Sequence, residues 1–310
     1  MKWLSPYEHE LQLAFTEAEA ILATLPDSFR KPALDYLDKF HVLKENRSKN
    51  YICYLLPFWL QEHAGLSSRD VRRFAVANIF GMMYYHLIDA CMDEPESKMS
   101  RQLPLAEFIH LEFVRIYSSY FTGESRFWTY FKKYVSQWAE AVSGEKTSDF
   151  YYEDPVRMGH KAAPVKLTIA GSMLLVNREA EILRLEQAVD NVLVTLQLLD
   201  DWQDWEKDLN EGSYNSLVSI VQTELKIPRE RRPVSEEIRQ AITVQNVLDI
   251  LAEHAERNHE SLQDYKTSLP GLYQFHESLR DNLKEGASEI EKERILLQSG
   301  GLGYWLSKNM

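Results

Sequence analysis

Four aspartates, Asp200, Asp201, Asp204 and Asp208, fall within a nine-residue stretch. On a helix turning about 100° per residue they lie near 0°, 100°, 40° and 80°, with Gln197 near 60°. The upstream apolar residues Ile182, Val189, Leu193 and Leu196 fall between about −40° and 20° on the same wheel. An apolar stripe that should face an interior therefore runs straight into carboxylates. Acids gathered on such a face are tolerated when paired, protonated or bound to metal. The chemistry this pattern suits is that of a hard divalent cation held by oxygen ligands.

A second cluster repeats the arrangement upstream. Asp89 and Asp93 are four residues apart and share a helix face, with His86 beside them and Tyr85, Met82 and Asn78 further back on that face. Ser67-Ser68-Arg69-Asp70 reads as a capping box that starts this helix. Its acids stand near a C-terminus, where the helix dipole disfavours anions. Two unfavourable placements of one kind suggest one purpose: an apolar cavity, lined by Met82, Tyr85, Leu193 and Leu196, with acids at its mouth.

The elements that must position these residues are helices. Apolar positions recur every three to four residues from end to end, and alternating runs are scarce. The pattern predicts helices near 6–24, 28–42, 50–64, 68–92, 103–121, 124–142, 160–176, 179–210, 214–225, 234–263, 270–284 and 287–298. Gly212 is the expected stop of the central one, and 93–102, 143–156 and 226–233 are expected loops. The fold class predicted is an all-α bundle, whose ligand sites lie between facing helices. The 310 residues contain only 12 Gly and 11 Pro, with no visible linker or repeat, so a single domain over 1–310 is expected.

Composition narrows the function classes. A net charge of −12 argues against a general nucleic-acid binder, which needs a basic surface, but not against phosphorylated substrates carried by divalent cations. Cys53 and Cys91 make no disulfide framework. The charged start (Lys2, Glu8, Glu10) resembles no signal peptide, and no apolar run is long enough for a membrane span. A cytoplasmic protein is expected.

The segment Leu196-Gln197-Leu198-Leu199-Asp200-Asp201-Trp202-Gln203-Asp204 is similar to the second aspartate-rich motif of trans-isoprenyl diphosphate synthases, and Lys207–Leu217 resembles the stretch next after that motif in the family. Asp89-Ala90-Cys91-Met92-Asp93-Glu94 sits where the first motif belongs, and Lys161 occupies the place of a diphosphate-binding lysine between the two. The likeness covers about 80–218 and implies the class I isoprenoid synthase superfamily, which holds both chain-elongating prenyltransferases and terpene cyclases. It implies two or three Mg²⁺ ions, with Mn²⁺ as a substitute, held by Asp89, Asp93, Asp200, Asp204 and Asp208, and Asp201 as a ligand or its support. Lys161, Gln197, Lys166 and Arg157 would serve the diphosphate of a C10 to C20 or longer prenyl substrate. Ionisation would leave a carbocation needing a dry, aromatic-lined pocket, with Tyr84, Tyr85 and Phe80 near the first motif. A homodimer is implied as well.

The departures carry information. Ala90 replaces the second aspartate of the first motif, as in many cyclases, and Asp200, Asp204 and Asp208 have the spacing of a cyclase's second triad. The Gly-Gly-Lys-Arg segment that binds isopentenyl diphosphate in elongating enzymes is not evident, with only Lys44, Arg47 and Lys49 as substitutes, and Lys98 and Arg101 replace an arginine pair after the first motif. The expectation is a terpene synthase, with a prenyltransferase as the alternative and a non-catalytic binding subunit as a remote one. Glu107–His110 and Glu256–His259 match the Glu-x-x-His pattern of di-iron bundles, but no further glutamates at matching depth accompany them. Arg229-Glu230-Arg231-Arg232 reads as a solvated connection, and Gly300-Gly301-Leu302-Gly303-Tyr304-Trp305 as a terminus able to fold over a site.

Overall fold

The three-to-four periodicity becomes helix throughout, and among the described residues there is no strand. The structure, a computed structural model, describes residues 1–93, 96–145 and 148–298, the side chains of 93, 96–101 and 297 excepted. The N-terminal helices are α1 (Glu8–Leu22), α2 (Asp27–Lys39), α3 (Tyr51–Ala64), α4 (Ser68–Asp93), α5 (Glu96–Ser118) and α6 (Phe127–Gly144). Short α7 (Phe150–Glu153) and α8 (Val156–Gly159) come next, then α9 (Leu167–Leu175) and the long α10 (Ile182–Glu211). The chain ends in α11 (Ser216–Glu224), α12 (Ser235–Gln245), α13 (Val247–Glu260) and α14 (Pro270–Gln298).

The described residues form two compact units, each assembled from separate segments: those within 1–142, 162–187 and 265–272 in the first, and those within 143–161, 188–264 and 273–298 in the second. In the first, α4 packs most heavily on α5, then on α3 and α1. It begins where its sequence predicts: Ser67 Oγ accepts from Asp70 N at 3.2 Å, the N-cap half of a capping box, and donates to Asp70 Oδ2 at 2.6 Å. Val71, Phe74, Ala75, Val76, Ala77, Ile79 and Phe80 are all fully buried. A helix buried all round is a central one, and each large apolar side chain so enclosed contributes about 1.5–3 kcal/mol.

In the second unit α10 takes that central part. Val192, Leu193, Val194, Leu198 and Leu199 are buried on every side of it, and α11 packs against α12, α13 and α7. Three contacts fix its rotation. Gly159 at the end of α8 lies so close to it that an added Cβ would stand 2.8 Å from Leu193 Cβ and 3.2 Å from Val194 N. The Trp202 ring lies directly on Gly286 of α14. Thr195 Oγ1 meets His276 Nε2 at 2.8 Å, and His276 Nδ1 meets His259 Nδ1 at 3.0 Å. Because the Thr195 hydroxyl donates to Asn191 O, His276 must donate from Nε2, leaving its Nδ1 to accept from His259.

Several expected boundaries move. The segment 160–176 is a 3₁₀ run over His160–Lys166 before α9, since Pro164 offers no N–H to an α ladder. The long helix expected over 234–263 breaks at Asn246, which takes a left-handed φ of 55°. Conversely, 270–298 is one helix, running through Gly286. The expected loops 143–156 and 93–102 contain α7 and the start of α5. Gly212, with φ of 80°, does end α10. No helix among the described residues is long and apolar enough to cross a membrane.

Candidate functional site

The second unit carries the fuller cluster. Along α10, Asp200 and Asp204 are exposed and Asp208 is half-buried, one turn apart on one face. The stripe of buried Val189 and Leu193 and half-buried Leu196 runs into these carboxylates, but the first two of them reach solvent instead of facing an interior as expected. Solvent reaches Asp200, yet its carboxyl is pushed above the usual carboxylate range, first by surrounding protein and then by Asp204 and Asp208. Lys161 and Lys207 pull it back down. Repulsion of this kind on Asp200 is what a nearby cation relieves.

Asp201 does something different. It is 2% exposed, turned away from its neighbours, and accepts from Ser216 N and Gln197 Nε2, each at 2.7 Å. Ser216 opens α11, so the carboxylate sits at a helix N-terminus, where backbone N–H groups and dipole favour it. Burial nevertheless wins and raises its pKa to about 6, against the lowering effect of Ser216, Gln197 and Lys161. Gln197 therefore orients Asp201. Asn215 completes the link: its amide donates to Asp201 O and to Asp208 Oδ2, both at 2.8 Å, and its oxygen caps α11 through Val218 N.

The cations sort by unit. Lys161 pairs with Glu145. Arg157 lies over the Phe150 ring, 4.6 Å from its centre, with Glu153 3.7 Å away. Lys166 belongs to the first unit and is fully buried there, its ammonium 5.4 Å from the centre of the Tyr134 ring, whose hydroxyl donates to Glu186. It faces an interior and not solution, against the expectation that it serves a diphosphate.

In the first unit Asp89 is half-buried and His86 exposed on the last turns of α4. His86 packs edge-on to Phe40 at 5.0 Å, and Tyr36 has its hydroxyl pKa raised by burial, Cys91 and Asp89. Met82 is half-buried with Asn50 Nδ2 3.7 Å from its sulfur, while Tyr85 is buried against Trp138 at 4.8 Å. Tyr84 stacks on His110 at 4.4 Å. The side chains of Asp93, Lys98 and Arg101, the residue Glu94 and the whole Gly300–Trp305 segment lie outside the described residues.

Spacing alone missed several residues that hold the site. Asp149 accepts from Ser219 Oγ at 2.7 Å and Tyr214 OH at 3.1 Å, and pairs with Arg229 at 2.9 Å. It anchors the turn that carries Asn215 and Ser216. The run 229–232 is exposed, as expected of a solvated connection, and its arginines also make surface contacts. Besides Arg229, Arg231 pairs with Glu237, and Arg232 donates to Ser213 O at 2.7 Å, just past the C-terminus of α10, where a cation is favoured. The Glu-x-x-His pair also dissolves, since Glu256 is drawn to Lys284 and Arg280 while His259 faces His276.

Among the described residues no three His, Cys, Asp or Glu side chains converge tightly enough to hold a metal ion unaided. Carboxylates ranged along one helix face instead suit ions that draw further oxygens from a ligand, as Mg²⁺ does with phosphate. No family model matches the chain, and neither a curated protein nor a solved structure matches it.

Proposed function

We propose that this chain is a class I isoprenoid synthase-like enzyme that ionises an allylic prenyl diphosphate with loss of diphosphate, and that the cation so formed cyclises or rearranges to a terpene. The observation that carries the reading is the row Asp200, Asp204 and Asp208 on one face of α10, beyond its buried stretch at 192–199, with the Asp200 anion disfavoured first by burial and then by Asp204 and Asp208. Mg²⁺ on this row would neutralise charge on the departing diphosphate as its C–O bond breaks. In this reading Asp89 and Asp93 would supply the second carboxylate set that the resemblance implies. Lys161, paired with Glu145 but partly exposed, would turn its ammonium to diphosphate oxygens, while Asp201, Gln197 and Asn215 keep the row in register from behind.

The cyclase is preferred to a prenyltransferase on a specific ground. A transferase needs a second diphosphate site, and the candidate cations for it among the described residues already have partners. Lys44 and Arg47 both pair with Asp38, and Lys49 donates to Val42 O and Lys44 O.

The test is incubation with Mg²⁺ and C10, C15 or C20 allylic diphosphates, with and without isopentenyl diphosphate, and then mass spectrometry of the products. Hydrocarbon or alcohol terpenes from the single substrate are expected, whereas products only with isopentenyl diphosphate overturn the cyclase preference. Asp89→Ala and Asp200→Ala should each abolish diphosphate release with the helical circular dichroism unchanged. Retained release removes that residue from the metal-binding set.

A further inference from the structure

The Lys161–Glu145 pair bears on how the proposed site is regulated. Lys161 Nζ meets Glu145 Oε1, the side chains being 39% and 21% exposed. The pair is thus open to solution on one side and enclosed on the other. Neither partner is free to drift. Glu145 directly follows Gly144, which is wedged against the Phe150 ring and the Arg157 guanidinium. Lys161 comes two residues after Gly159, which is seated on the α10 backbone.

The charges around the pair explain why a protein would hold it so. Asp200, Asp204, Asp208 and Glu145 put four carboxylates into this region of the second unit against Lys161 and Lys207. An incoming polyanion therefore meets net repulsion until divalent cations neutralise the aspartates. Before that, Lys161 has a ready anion in Glu145. Afterwards a diphosphate, more highly charged than a carboxylate, is the better partner for the ammonium.

Resting on the reading of this site as a diphosphate site, we infer that Glu145 is a built-in competitor for the substrate's anion: it masks Lys161 in the empty protein and is displaced when metal and diphosphate arrive together. The contact makes binding ordered, metal first, and keeps the lysine from collecting stray phosphates.

Two measurements on the full-length protein test this, using Glu145→Gln and Glu145→Ala, each checked for folding by circular dichroism. The first needs no ligand. Acetylation by an N-hydroxysuccinimide ester, read by peptide mass spectrometry with exposed Lys207 as internal reference, should modify Lys161 several-fold faster in both variants than in the wild type. Equal rates overturn the inference. The second is calorimetric titration with inorganic diphosphate in Mg²⁺. Both variants should bind about five-fold more tightly, the scale of one half-exposed competing ion pair, and Lys161→Ala should weaken binding in either background. If Lys161→Ala weakens binding while the Glu145 variants match the wild type, the mask is wrong and the diphosphate site stands. If inorganic diphosphate binds none of the proteins, the diphosphate reading falls, and the acetylation rates alone decide whether Glu145 covers Lys161.

Discussion

Gly159→Ala puts the positioning of Lys161 to a quantitative test. The added methyl would stand 2.8 Å from Leu193 Cβ, 3.2 Å from Leu193 C and 3.2 Å from Val194 N. Carbon atoms pack at about 3.5–4.0 Å, so the clash approaches 1 Å, and two of the three atoms are backbone of a helix buried on every side. Neither can rotate away. Relief must come from lifting the 156–161 segment off α10, which carries Lys161 with it. Overpacking of this kind costs about 1–3 kcal/mol, while replacing a glycine returns about 0.4–1 kcal/mol by restricting the unfolded chain. The net expectation is destabilisation of about 1–2 kcal/mol, or a fall in Tm of roughly 2–6 °C.

Differential scanning calorimetry gives the sign directly. Gly123→Ala is the control, because nothing lies within 4 Å of its added Cβ, and only the unfolded-chain term remains: no loss, or a small gain. Affinity for inorganic diphosphate in Mg²⁺, measured on the same samples, should fall in Gly159→Ala and hold in Gly123→Ala. A Gly159→Ala protein as stable as the control would refute the close approach, and with it the claim that α10 backbone sets the height of Lys161.

The same unit yields three further expected outcomes. Gly286→Ala should expel the Trp202 ring from α14, costing about 1–3 kcal/mol and shifting tryptophan emission; an unchanged spectrum and midpoint would mean the ring does not rest there. Asp201, with its pKa raised to about 6 from an unfolded 3.8, binds more protons folded than unfolded between those values. Stability should therefore fall as pH rises from about 4 to 6, by up to roughly 3 kcal/mol. Asp201→Asn should flatten that slope in urea titrations. The His276 pKa is lowered to about 3 by burial, then by His259 and Arg280. Here the unfolded chain binds the extra proton, so stability is present above about pH 6.5 and is lost on acidification, roughly 2 kcal/mol by pH 5. A His276→Gln variant that keeps this acid-side slope would show that the imidazole pair is not its source.

Much of this architecture is legible in local pattern, because helices are local. The Ser67–Asp70 box, the stop at Gly212 and the row Asp200, Asp204 and Asp208 each depend on neighbours within a turn or two. The misreadings have non-local causes. Gly286 looks like a helix break at a cost of about 1 kcal/mol, and its reason, the Trp202 ring, is 84 residues away in sequence. Asn246 is a break because Asn tolerates the left-handed region, a signal hidden inside a continuous apolar rhythm. Pro164 is the visible sign of the 3₁₀ run and outweighs the periodicity around it. The arginines at 229, 231 and 232 are solvated as read, and only their surface partners, Asp149, Glu237 and the end of α10, are hidden, because these come from three separate places in the chain.

The adjacent aspartates show most clearly where pattern gives way to structure. By spacing, Asp200 and Asp201 are two members of one acid run, about 100° apart on the wheel. What separates them is the turn at Tyr214–Ser216, which brings a backbone N–H to Asp201 and leaves Asp200 facing Asp204 and Asp208. One carboxylate becomes a buried brace whose charge is engaged by α11, and the other stays available with its anion raised in energy by its neighbours. A cation added to the protein should therefore act unequally. It should lower the apparent pKa of Asp200, by relieving the repulsion from Asp204 and Asp208 that adds to burial there, and leave that of Asp201 nearly unmoved, because no neighbouring acid contributes to its shift. Carboxyl ¹³C shifts tracked against pH, with and without Mg²⁺, would separate the two. Equal movement of both would mean that Asp201 is a ligand after all and that the brace opens when metal binds.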